Sequence, residues 1–247
     1  MHEAAAHSAV SEALVTLALA PLPNEAQGAV EAARRALQES REHASSGDGV
    51  SRRLTQPLQP LAERASSNDA RLRAWTLGAQ LAARGEPSLA TPVLAAAVAA
   101  GERFGASGDA IAAAVAAGTE AATRVLAALD SSDYRARWNV VSSIGVLGAT
   151  LAVARLLQLD APRTRHALGV AATQAAGLAR NAGTALEAIE IGKAAADAIE
   201  AALIAKHGFT SAAAAIDGRR GLAALMAYRF DAGQIVGRVD AAWLSGA

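Results

Sequence analysis

Ile144-Gly145-Val146-Leu147-Gly148-Ala149-Thr150-Leu151-Ala152-Val153-Ala154 is the stretch whose reading decides the fold. It carries no charge and is shorter than the roughly 18 apolar residues that suggest a membrane span. It reads as a buried central helix. A second stretch, residues 92–100, reads the same way. Two such helices need other helices around them, and the flanking sequence supplies the pattern.

Helical periodicity runs through segments 3–18, 24–42, 51–65 and 69–84 on the N-terminal side. Asn24 is placed to cap the second of these, with Gln27 three residues on. The run Ser66-Ser67-Asn68-Asp69 caps the fourth. Thr91-Pro92 reads as an N-cap with proline at the first helical position. Gly105-Ala106-Ser107-Gly108 then separates that helix from a long one over 109–128, and Asp130-Ser131-Ser132-Asp133 is a polar break. Helices are expected over 140–157, 162–178 (capped by Asp160) and 184–207, with a loop at 180–183 and Gly208 as a stop. A short helix capped by Thr210 and another over 221–228 complete the reading.

No run of β-branched or aromatic residues with period two appears. The expected class is all-α, and no long Pro/Gly/Ser linker divides the 247 residues into domains. Composition agrees: 52% of residues are hydrophobic but only 3% aromatic, most of the rest being alanine, the best helix former.

Lys+Arg and Asp+Glu are both 23, with no block of one sign. That argues against nucleic acid or an anionic membrane as the main partner. With no cysteine, disulfides and thiol chemistry are excluded. The apolar N-terminus has no Lys or Arg before it and is interrupted by Glu3 and Glu12, so it does not read as a signal peptide. The cytoplasm is the expected location. The histidines at 2, 7, 43, 166 and 207 are dispersed and give no metal-ligand spacing. The Gly105–Gly108 turn has no strand before it, as a phosphate loop requires, and no Gly-x-Ser-x-Gly elbow occurs. No metal or cofactor is expected. Glu187, Glu190, Lys193, Asp197 and Glu200 fall near one helical stripe, which by pattern alone is a solvated face of ion pairs.

Several blocks carry a resemblance. Gly148-Ala149-Thr150-Leu151-Ala152-Val153-Ala154-Arg155-Leu156-Leu157-Gln158-Leu159-Asp160 is followed by His166-Ala167-Leu168-Gly169-Val170-Ala171 and Gln174-Ala175-Ala176-Gly177-Leu178. Gly208-Phe209-Thr210 and Asp217-Gly218-Arg219-Arg220-Gly221 come later at matching spacing, and Leu22-Pro23 and the Pro92 region agree. In this order they resemble the helical domain of the MmgE/PrpD family. The family includes 2-methylcitrate dehydratase, cis-aconitate decarboxylase and iminodisuccinate epimerase. The resemblance implies a cofactor-independent enzyme acting on a small molecule, and a homodimer. The chain stops near where the family's lid domain would begin, so the helical domain alone is expected.

The same resemblance locates departures. A family histidine after an aromatic residue aligns with Asn139 after Trp138. In the family's Gly-Thr-x-x-Lys-x-x-His-x-Gly pattern, Gly183, Thr184 and Gly192 are kept, while Glu187 stands at the lysine and Glu190 at the histidine. The acidic run that precedes the Pro92 helix in the family is missing. Two carboxylates in place of two cationic groups disfavour a tricarboxylate substrate. They still suit proton transfer, since neighbouring carboxyls in a pocket can differ in protonation. The expected reactions are isomerisation, dehydration, epimerisation or cyclisation of a small carbonyl compound, in specialised metabolism. Glu187, Glu190 and Asn139 are the candidate catalytic residues. Trp138, Arg137, Arg180, Asn181 and Thr184 are the candidate substrate-binding residues. The competing reading is a non-catalytic homologue kept for binding or assembly. A pocket enclosing both glutamates favours the enzyme, and two solvated side chains favour the scaffold.

Overall fold

A computed structural model describes residues 8–46, 56, 69–237 and 243. Within them the chain is all-α, with eleven α-helices. The only β pairing among the described residues is an isolated antiparallel bridge between Trp138 and Leu178. The predicted helix over 51–65 lies outside the described residues.

The first helices are α1 (Ala9–Leu19), α2 (Gln27–Ser46), α3 (Ala70–Ala82) and α4 (Ala90–Phe104). Then come α5 (Gly108–Leu129), the short α6 (Ser132–Arg137), α7 (Val140–Leu156) and α8 (Ala161–Gln174). Finally come α9 (Ala185–Lys206), α10 (Leu222–Met226) and α11 (Gly233–Val236). Short polar side chains start many of them by accepting an otherwise unbonded first-turn N–H. Ser8, Asp69, Ser107, Ser131, Asn139 and Asp160 do this for α1, α3, α5, α6, α7 and α8. Gly105, at φ +74°, closes α4 in the left-handed conformation that glycine adopts most easily.

The 144–154 stretch lies in α7, where every residue of it is buried. α7 packs against α4, α5, α8 and α9, and α9 lies along α3. One apolar core, largely alanine, joins residues of all eleven helices. Small side chains let the axes approach closely, and glycines do so at two crossings. Gly118 of α5 faces Gly148 of α7, and Gly78 of α3 faces Gly192 of α9. Arg155 at the end of α7 donates to the carbonyls of Ala18 and Ala20 at 2.6 and 2.8 Å, fixing the end of α1.

Several boundaries correct the sequence reading. Asn24 does not cap α2 but opens a 3-10 turn, Asn24–Ala26, which leads into it. α4 begins at Ala90, so Thr91 and Pro92 fall inside its first turn, and the Thr91 hydroxyl accepts the Ser88 N–H at 3.0 Å. The register is set by packing, because Pro92 fills the space above Gly145. Part of the predicted break at 130–133 is helix, since Ser131 caps α6. α8 ends at Gln174 rather than Leu178, because the carbonyls of Ala176 and Gly177 accept from Ser142 and Asn139. The helix expected after Thr210 is a series of turns. Ser211 donates its N–H to His166 Nδ1 of α8 at 3.1 Å instead of continuing a helix. α5 also exceeds expectation: it is long and apolar enough to cross a membrane by length and composition, though here 67% of its most apolar window is buried in the protein.

Candidate functional site

Asn139 stands at the start of α7 and makes bonds in three directions. Its Oδ1 accepts from Ser142 N at 3.0 Å, the N-cap bond of α7. Its backbone N–H donates to Gly177 O at 3.0 Å, which with the Trp138–Leu178 bridge lays the segment after α8 across the entrance of α7. Its Nδ2 donates to Glu187 Oε1 at 2.8 Å. Gly177 has φ +131°, and a Cβ there would lie 2.0 Å from Ser142 Oγ, so this close approach requires glycine.

The segment then turns through a 3-10 helix, Ala179–Asn181, into α9. Thr184 holds the N-cap position, yet its hydroxyl donates to Asn181 O at 2.7 Å instead of capping. Glu187 takes over part of that task. Its Oε2 accepts the Gly183 N–H at 2.7 Å, so both its oxygens are engaged. A carboxylate in the first turn also sits well against the positive end of the helix dipole.

Glu190 is placed differently. Its Oε1 accepts a short hydrogen bond from Asn181 Nδ2. Its Oε2 is shielded from solvent, and no protein donor among the described residues reaches it. Glu190 borders a cavity of about 120 Å³ between the start of α7, the end of α8 and α9, with Ser142, Gln174, Gly177, Lys193 and Asp197 around it. Gln174 Oε1 is likewise shielded and without a protein partner among the described residues.

Glu187, Glu190, Asn139, Asn181 and Thr184 are thus assembled around one loop and the first turns of α9. Only Glu190 of these five borders the cavity, so neither of the two arrangements that would separate the readings, one pocket holding both glutamates or both in open solvent, is the one found. Glu187 is withdrawn by its bonds to Asn139 and Gly183. The cavity is not uniformly acidic either, since Lys193 lies on its wall. Trp138 and Arg137 point elsewhere: both donate to Met226 O, at 3.1 and 2.9 Å. Arg137 also pairs with Asp133 and lies over the Tyr228 ring. Arg180 is exposed on the 3-10 turn. Among the described residues no group of three or more His, Asp or Glu gathers as a metal site would need.

The sequence reading missed Gln174 and Ser142 as neighbours of Glu190, and it placed Lys193 and Asp197 beside Glu190 only as a solvated face. The last two were legible: residues three and seven beyond Glu190 return to its face of a helix. They do form the expected ion pair, 2.5 Å between Lys193 Nζ and Asp197 Oδ2, but at the cavity, with Asp197 only 18% exposed. Burial raises the Asp197 carboxyl above the ordinary 3.8, and the Lys193 hydrogen bond opposes that rise. In the window starting at 3.8 and extending upward, the folded protein therefore holds more protons than the unfolded chain. Stability falls as pH rises through that window and stays lower above it. Lys193→Met is expected to push the Asp197 carboxyl higher still and widen the window, as followed by carboxyl-carbon NMR titration. An Asp197 midpoint that stays put or drops would contradict this account.

The MmgE/PrpD N-terminal domain pattern matches residues 81–234, more than half of the chain and all of the site just described. A search of curated proteins returned no match.

Proposed function

The chain belongs to the MmgE/PrpD family through its N-terminal domain, and from that premise we propose that it is a cofactor-independent lyase or isomerase in which Glu190 carries the proton. The family's chemistry is of the dehydratase and lyase kind, which needs a group able to take a proton from carbon and return it. The observation that carries the proposal is the asymmetry of Glu190. One oxygen is held by Asn181, the other is shielded from solvent and makes no hydrogen bond among the described residues, and the residue borders the cavity. A base fixed through one oxygen and free at the other is oriented for transfer.

In the reaction, Glu190 takes a proton from the carbon beside a substrate carbonyl, leaving a carboxylic acid and an enolate. Return of that proton to the other face or to another carbon completes an epimerisation or isomerisation. Its delivery to a departing β-hydroxyl releases water and completes a dehydration. Asn139 and Glu187 act as positioning residues, holding the loop that presents Asn181 to Glu190. Specialised metabolism is the setting this reading favours, because the family's cationic positions are carboxylates here.

The engagement of both Glu187 oxygens favours a second reading, a non-catalytic homologue that binds without turnover. Hydrogen–deuterium exchange separates the two. Small carbonyl compounds are incubated with the protein in D2O, and loss of the signal from the carbon-bound hydrogen is followed by proton NMR. Exchange is expected with the unsubstituted protein and is expected to fall about a hundredfold in Glu190→Gln. Equal exchange in both proteins removes Glu190 as the carrier, and no exchange by the unsubstituted protein gives the case to the binding reading.

A further inference from the structure

Two residues on the wall of the cavity, Glu190 and Gln174, each have a side-chain oxygen shielded from solvent and without a hydrogen-bond partner among the described residues, and the proton-transfer reading uses only one of them. In that reading Glu190 Oε2 takes the reacting hydrogen. Gln174 Oε1, the amide oxygen at the last residue of α8, has no role in that step and makes no hydrogen bond among the described residues. A sheltered acceptor is satisfied only by a donor that enters with the occupant. The charges around the same space point to the kind of donor. Glu190 and Asp197 contribute two negative charges, and Lys193, already paired with Asp197, contributes one positive charge. The wall is therefore net negative with Lys193 committed. An incoming carboxylate meets repulsion there, and an incoming ammonium group meets attraction.

We infer that the cavity selects a substrate bearing a primary ammonium group next to its carbonyl, a small amino-carbonyl compound, with Gln174 Oε1 accepting one ammonium N–H. Gln174 is thus a specificity-determining residue. The cavity's volume of about 120 Å³ takes the amino-bearing end of such a molecule. The ammonium serves a second purpose: its positive charge beside the acidic carbon stabilises the carbanion that forms when Glu190 takes the proton. This inference rests on reading the cavity as the substrate site, and direct binding tests it apart from turnover.

Glycinamide supplies an ammonium beside a carbonyl without a carboxylate, and acetate and succinate are the opposing probes. Binding of each to the full chain is measured by calorimetry and by NMR shifts of the Gln174 side-chain amide. Glycinamide is expected to saturate and to shift that amide, while acetate and succinate do neither at the same concentrations. Gln174→Leu is expected to weaken glycinamide about tenfold, and Gln174→Glu to tighten it. Circular dichroism checks that both variants keep their helices, and Gln174→Asn, which keeps the amide on a shorter stem, is the milder substitute if Gln174→Leu loses them. Three results overturn the inference. They are succinate or acetate binding as tightly as glycinamide, affinity for glycinamide indifferent to Gln174, or no binding of glycinamide at all. Acetate or succinate preference would mean that the amide presents its NH2 to the cavity. Glycinamide binding through Gln174 without deuterium exchange would keep this inference and remove the catalytic reading. Exchange on a carboxylate substrate without ammonium preference would do the reverse.

Discussion

Gly148→Ala is expected to destabilise the protein by about 3 kcal/mol, although alanine is the better helix former by about 1 kcal/mol. The reason is the crossing of α5 and α7. A Cβ on Gly148 would lie 2.3 Å from Gly118 O and 2.8 Å from Ala122 Cβ, and one on Gly118 would lie 2.5 Å from Gly148 O. The obstacles are backbone atoms of a neighbouring helix and a methyl with no rotamer to change, so relief requires the two axes to separate. The core around them is close-packed alanine, and separation would open gaps along the whole contact. For a chain of this size the loss corresponds to a melting temperature lower by about 6–12 °C. Gly28→Ala is the matched control. Gly28 lies in α2, and a Cβ on it would meet nothing within 4 Å, so the same substitution should be neutral or raise stability by a few tenths of a kcal/mol. Urea unfolding of both variants decides the matter. A Gly148→Ala protein as stable as the parent would mean that the crossing is looser than described. Because Asn139 caps α7, a shift of this helix would also disturb the loop that holds Glu190.

The helices were legible in the sequence because their signals are local. Ser, Asp and Asn caps, the Gly105 stop and the continuous apolar run of α7 act through neighbours within a few residues. The errors fall where a distant residue decides. α8 stops at Gln174 because Ser142 and Asn139, more than thirty positions earlier, take the next carbonyls. Thr91-Pro92 sits two positions deeper in the helix than its local pattern indicates because Pro92 packs on Gly145. The site divides in the same way. That Asn139, Glu187 and Glu190 would gather was readable from family resemblance. That Trp138 and Arg137 would turn to Met226 was not, since nothing near them in sequence announces a carbonyl about ninety residues away.

Glu187 carries a further lesson. Thr184-Ala185-Leu186-Glu187 fits the Ser/Thr-x-x-Glu signature of a helix start, in which the glutamate reaches back to a backbone N–H. The structure places its carboxylate there, on Gly183 N–H. Two glutamates at two aligned positions therefore do not amount to two equivalent acids. One closes the loop on the helix, and the other is left facing the cavity. Of the two carboxylates, only that of Glu190 belongs to a residue that borders the cavity.

Glu120→Ala is expected to cost about 3–5 kcal/mol, a large share of the roughly 5–15 kcal/mol that holds a domain folded. Glu120 and Arg124 lie one turn apart on α5, both buried, with 2.7 Å between Glu120 Oε1 and Arg124 Nε. Their order, acid before base, is the favourable one for this spacing along a helix. Bringing both charges out of water is expensive, and their attraction in a poorly screened interior offsets that cost only while both are present. Removing the carboxylate takes one counterion from a buried guanidinium, and that loss adds to the loss of the bond itself. The double variant Glu120→Leu with Arg124→Met should therefore be more stable than the sum of the two single losses predicts, because both charges of the pair leave together. A double-mutant cycle by urea unfolding measures this coupling. Additive losses, or a Glu120→Ala cost below about 1 kcal/mol, would show that the pair is not what balances these charges. The same pair bears on α5 itself: of the helices here, it alone among the described residues has the length and composition of a membrane span. A buried ion pair that needs protein on every side fits a helix enclosed by α2, α4 and α7, the environment in which α5 lies.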